Sequence, residues 1–152
     1  MADDLSAVST LDAHECLNQL RSSDVGRLAF VFDGRPDILP VNFIVDHGAV
    51  IFRTAEGSKL AAATAGQPVA FEVDGYDPDA GVAWSVVVKG HAEEVRRMYE
   101  VFEAAMLPLF PWHADPKNHF VRIVPEEMSG RRFTVVRHDP GDSRARRRAA
   151  HE

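Results

Sequence analysis

Arg53, Ser58 and Lys59 fall close together in Phe52-Arg53-Thr54-Ala55-Glu56-Gly57-Ser58-Lys59-Leu60, and their spacing could hold an anion. Upstream, Ala49-Val50-Ile51-Phe52 has the β-branched and aromatic content of a strand. Downstream, Leu60-Ala61-Ala62-Ala63-Thr64-Ala65-Gly66 reads as a short helix with a terminal glycine. Free N–H groups at the helix start, the Ser58 hydroxyl and the charges of Lys59 and Arg53 would together meet a phosphate dianion. The same residues also satisfy ordinary turn chemistry, with Gly57 at the bend, Ser58 as N-cap and both cations on a solvated face. On this segment alone both readings stand.

Other reactive residues are sparser. The seven histidines, at 14, 47, 91, 113, 119, 138 and 151, include no i,i+4 pair and no HExxH pattern. His113, Asp115 and His119 form the one cluster, in a proline-rich stretch that serves equally as a surface cover, so no metal is expected. No GxSxG elbow accompanies Ser58 or Ser85, which argues against nucleophilic hydrolysis. Trp84-Ser85, at the start of a valine-rich strand, could pack on and hydrogen-bond a planar ligand, or could be wall and core of a barrel. Gly130-Arg131-Arg132 is either a basic surface turn or an arm reaching a phosphate or ring carbonyl. The lone Cys16 lies on the apolar side of a helix and reads as a buried structural thiol, in keeping with a reducing compartment.

The 152-residue chain is long enough for one domain with its own core. Its charge is uneven: the last sixteen residues hold five arginines and three acids, leaving the first 136 with 12 basic and 20 acidic side chains, a balance of −8. An acidic body repels phosphate backbones, and the Arg144-Ala145-Arg146-Arg147-Arg148 run lacks interleaved aromatics, so nucleic-acid binding is not expected. With neither a signal-like leader nor an apolar run of about 20 residues, the expectation is a cytoplasmic protein without a membrane partner.

The elements that must position these residues follow from periodicity. Asp12-Ala13-His14-Glu15 resembles a capping box opening a helix to about Ser22. Strands are expected over 25–32, 38–45, 49–54, 68–74, 84–95, 120–124 and 132–136, with turns at Asp33-Gly34 and His47-Gly48. Pro40 suggests an edge or bulge, Gly90 a bend, and Gly75 to Gly81 a polar loop. A late helix is expected from Arg96 to Leu107. About six to seven strands in hairpin succession, with N-terminal, short phosphate-site and late helices, predict a mainly β (α+β) fold, an antiparallel split barrel. Residues 1–11 are expected to be disordered, 12–138 to form the barrel, and 139–152 to be a disordered basic tail.

In order along the chain, Val25-Gly26-Arg27-Leu28, Pro40-Val41-Asn42-Phe43, the Phe52 to Leu60 segment, Val69 to Asp74, Trp84 to Gly90 and Gly130-Arg131-Arg132 resemble the pyridoxamine 5′-phosphate oxidase-like family of FMN-binding split barrels. The likeness is nearest its small bacterial branch, which includes nitroimidazole-resistance-type proteins and relates to flavin/deazaflavin oxidoreductases, and spans roughly Asp12 to Val136. It implies a homodimer with FMN at the subunit interface. Pro40, Val41 and Asn42 would line the isoalloxazine, Phe52, Arg53 and Thr54 would lie near the ribityl chain and phosphate, and Ser58 and Lys59 would grip the phosphate. Trp84 and Ser85 would touch the flavin from the partner subunit, and Arg131 would lie near the ring or substrate. Met128 stands about where the vitamin B6 oxidases carry an aromatic residue, and Thr54 where nitroimidazole-resistance members carry a histidine. Both departures argue against those two activities. The expectation is an FMN-binding oxidoreductase acting on an unknown small substrate, with no catalytic side chain assigned. The alternatives are a flavin carrier or sensor without turnover, or an F420-dependent reductase on the same fold.

Overall fold

Buried residues alternate along 69–73 and 86–92, which puts one face of each stretch in a core, whereas 49–52 is apolar throughout and buried on both faces. The computed structural model describes residues 8–54, 66–95 and 119–135. Its elements are β1 (Val8–Thr10), α1 (Ala13–Arg21), β2 (Val25–Phe32), β3 (Arg35–Asp46), β4 (Ala49–Thr54), β5 (Pro68–Asp77), β6 (Val82–Glu94) and β7 (His119–Thr134). Every strand pairing is antiparallel. The order β7-β4-β3-β2-β5-β6 closes on itself through a β6–β7 pairing, and β1 lies beside β7. This is the split barrel expected from the sequence, six strands in the ring and one appended.

The split arises because β3 changes partner. It pairs with β2 through Asn42 and with β4 from Phe43 onward, while β2 meets β5 only from Arg27 to Ala29. Leu28, Phe43, Phe52, Phe71, Val86, Val88, Val121 and Ile123 fill the interior, where the Phe43 and Phe71 rings meet edge to face, 4.8 Å between centroids. A second cluster, Ile51, Val95 and Phe120 with Ile44, lies apart from that core.

Local chemistry sets the connections. Asp33 and Gly34, and again His47 and Gly48, all have positive φ, from 50° to 78°, as a two-residue hairpin turn of type I′ requires. Asp12 caps α1: its carboxylate accepts from the Glu15 N–H at 2.8 Å, and the Glu15 carboxylate accepts from the Asp12 N–H at 3.1 Å. The helix buries Cys16 and Leu20 in the main core.

Three expectations change. Residues 8–11 are ordered, not disordered: Val8–Thr10 pairs with β7, Val8 opposite Phe133, and Leu11 enters the core. The two strands expected around Pro125 to Gly130 are one strand of 16 residues, β7. Pro125 does not break it because the β6–β7 register shifts there. Lys89 faces Glu127 and Gly90 faces Pro125, which leaves Glu126 as the extra residue of a bulge, where a missing N–H does no harm. Gly90 thus marks a bend, as expected. The polar loop after Gly75 is shorter than predicted, because β5 continues to Asp77. Pro40 lies at an edge, one of the two placements expected for it: it pairs in register with Arg27, and among the described residues no strand flanks it on the other side.

Candidate functional site

The described candidate residues separate into two groups. Pro40, Val41 and Asn42 sit where β3 leaves β2, and Phe52, Arg53 and Thr54 end β4. Because Phe43 pairs with Phe52, continuing that register brings Asn42 alongside Arg53. Alternation sends neighbours to opposite faces. Val41 and Phe52 project into the barrel core, and Thr54 is buried, so Val41 and Phe52 can offer a ligand only backbone atoms. Asn42 and Arg53 are the side chains left to meet one.

Arg53 is the unusual member. Its guanidinium stacks over the Phe120 ring, 4.8 Å from the centroid, and its Nε is buried without a hydrogen-bond partner. An uncompensated donor on a cationic group is costly, and an arriving anion would satisfy it. Beside it, His119 stands opposite Thr54, with its Nδ1 2.7 Å from Glu94 Oε1. Ser58 and Lys59, and the helices expected around them and from 96 to 107, lie outside the described residues.

The second group is Trp84, Ser85 and Arg131. Ser85 and Arg131 are direct cross-strand partners, and with Trp84 they line a cleft of about 500 Å3. Trp84 packs against the main core and crosses Gly75 so closely that a Cβ there would lie 2.5 Å from its Nε1. Along β7, Arg53 stands opposite Phe120 and Ser85 opposite Arg131, an interval of roughly 35 Å of strand. One chain therefore holds the two groups at opposite ends of its longest strand.

Sequence reasoning missed Asp74, Tyr76 and Phe133, which share the second cleft. A β5–β6 hairpin register extended past Gly75 would have found the first two. It also missed Phe120, which only the β4–β7 pairing brings to Arg53. On the outer face, Arg27 Nη1 bridges Glu72 and Asp74, each at 3.1 Å. Burial raises the Glu72 carboxyl above its ordinary range; its hydrogen bond and proximity to Asp74 add to this and Arg27 opposes it. Burial likewise raises the Cys16 thiol, followed by Asp12 and Glu15. Among the described residues, no group of three or more His, Cys, Asp or Glu could hold a metal, and no helix is long and apolar enough to cross a membrane.

The closed antiparallel ring of six strands defines the class, a split-barrel protein. The family model of pyridoxamine 5′-phosphate oxidase matches residues 12–132, and the chain belongs to that family. An uncharacterised Mycobacterium tuberculosis protein is 38% identical over 138 residues, covering 88% of this chain and 90% of its own. Among solved structures, an FAD binding protein from Mycobacterium smegmatis is 39% identical with a TM-score of 0.73, covering 83% of this chain and 98% of that one. An FAD-binding protein from Mesorhizobium loti is 28% identical with a TM-score of 0.69, covering 84% and 99%.

Proposed function

We propose that the chain is a flavin-dependent oxidoreductase that binds its cofactor by the phosphate and works as a homodimer on a small planar substrate. The observation that carries this reading is the buried, unpartnered Nε of Arg53. It fits a phosphate oxygen, and Ser58 and Lys59 follow within a few residues to complete the grip. Asn42 would orient the ring end from the open edge of β3, with Pro40 and the Val41 backbone beside it. The separation of Arg53 from Ser85 and Arg131 along β7 supports a two-chain site, in which Trp84, Ser85 and Arg131 reach the cofactor bound at the partner's Arg53 end.

The flavin would supply hydride or single-electron transfer, while the chain binds, orients and excludes water. FMN is the form expected from the resemblance. The FAD-binding relatives favour an FAD form of the same reading, with the shared phosphate held alike.

Absorption spectra of the purified protein, followed by titration with FMN, FAD and F420, test the cofactor. Tight binding of a flavin, weakened by Arg53→Ala and by Lys59→Ala, is the expected result. Unchanged affinity in both variants would remove the phosphate assignment. Reoxidation of the reduced protein by quinones or nitroaromatics separates an oxidoreductase from a carrier, which would leave those acceptors untouched.

A further inference from the structure

Arg27, Glu72 and Asp74 form an ion cluster that the proposed function leaves unused. Arg27 Nη1 lies 3.1 Å from Glu72 Oε1 and 3.1 Å from Asp74 Oδ2, so two carboxylates share one guanidinium. Strand pairing sets its place. Pro40 stands opposite Arg27, and Arg27 opposite Glu72, and direct cross-strand partners share a face. By alternation that face also carries Asn42, two residues along β3 from Pro40. The cluster therefore begins one strand from Pro40, roughly 5 Å at the backbone, and ends two strands away, roughly 10 Å.

The charges of the cluster do not balance. With both carboxylates ionised it carries one net negative charge, and with one proton between them it is neutral. Glu72 is the better holder of that proton. Its side chain is 33% exposed against 47% for Arg27 and Asp74, and burial and Asp74 raise its carboxyl while Arg27 opposes them. Few other charges face it. On β6 its partner is Val87, with Ser85 on one side and Lys89 on the other. Beyond, on β7, Glu127 stands opposite Lys89 and Arg131 opposite Ser85. The β3 positions of this face, Ile38, Pro40 and Asn42, are uncharged.

Two-electron reduction of a flavin with uptake of one proton adds one negative charge to its ring. A nearby net negative charge opposes that gain, and a neutral cluster does not. We propose that Arg27, Glu72 and Asp74 tune the reduction potential of the bound flavin, lowering it when both carboxylates are ionised and releasing it when Glu72 holds a proton. No contact with the ring is needed, because charge acts across the one or two strand spacings that separate the cluster from Pro40. By reciprocity, charging the ring favours the protonated form of Glu72, which takes its proton from solvent. The inference rests on the flavin reading, which sets the ring beside Pro40 and Asn42.

The test is the midpoint potential of the full chain loaded with flavin, equilibrated with reference dyes during dithionite reduction at mildly alkaline pH. Glu72→Gln and Asp74→Asn each remove a negative charge and should raise the potential. Arg27→Gln removes the positive charge and should lower it. Each shift should be about tenfold in the redox equilibrium constant, about 30 mV for a two-electron couple. Glu72→Asp keeps the charge and should stay near wild type. Across acidic to neutral pH the wild-type potential should fall more steeply where Glu72 ionises, and Glu72→Gln should lack that extra fall. A merely structural role would not give Glu72→Gln and Arg27→Gln opposite signs. Equal potentials in wild type and variants, or shifts of one sign in both, would overturn the inference and leave the flavin reading standing. Failure of the wild-type chain to bind flavin would overturn both.

Discussion

Arg53 concentrates the functional argument in a single atom. A charge-assisted hydrogen bond contributes about 1.5 to 3 kcal/mol, so Arg53→Ala should raise the flavin dissociation constant by roughly ten- to a hundredfold, measurable by titration. Arg53→Lys should recover only part of this, since an ammonium cannot both stack on Phe120 and present a fork to phosphate. Cys16 lies at the other extreme. Buried, and with its thiol pushed up in pKa, it should resist alkylation in the native protein and react at once in denaturant. Glu72 gives a pH signature. A carboxyl whose folded value is raised holds its proton longer in the folded state, so its contribution to stability falls as pH climbs from the ordinary carboxylate value through the raised one. Glu72→Gln should flatten that part of the curve in denaturant melts taken across mildly acidic pH.

At the scale of elements, the turns were the most legible part of the sequence. Asp33-Gly34 and His47-Gly48 specify their hairpins through backbone conformations few other residue pairs accept, and the Asp12 capping box locates α1 within a residue. The ends of β5 and the unity of β7 were not legible, because proline and glycine punctuate a chain read alone yet are tolerated where a bulge or a close packing partner requires them. Gly90 shows why: a Cβ there would sit 2.0 Å from the Val124 carbonyl oxygen. Gly90→Ala should therefore destabilise the barrel toward the upper end of about 1 to 3 kcal/mol, seen as a lower urea midpoint. The candidate site was half legible. Arg53 stands in a local pattern that could hold an anion, whereas Phe120 and Phe133 acquire meaning only through the pairings of β7 with strands distant in sequence.

For the whole molecule, the closed ring explains why the two groups of candidate residues cannot meet within one chain. β7 pairs with β6 from Val121 to Thr134 and with β4 at Phe120, which holds Phe120 and Arg131 apart. A shared site in a homodimer makes a specific prediction. Mixing Arg53→Ala protein with Arg131→Ala protein should restore tight flavin binding at about one quarter of all sites, since random exchange of subunits makes half the dimers hybrid and each hybrid has one intact site. A chain that forms each site alone would show no recovery in the mixed titration.

β1 is three residues long, and its partners are Arg131, Arg132 and Phe133. The strand that bears the site's second arginine is thus braced on one side by the first described segment of the chain. For anyone preparing the protein, this bears on where a handle is attached: an affinity tag fused just ahead of Val8 would pull on the least anchored strand and, through it, on the arginine. If Arg131 meets the flavin as proposed, titration before and after tag cleavage should show the weaker affinity in the tagged protein.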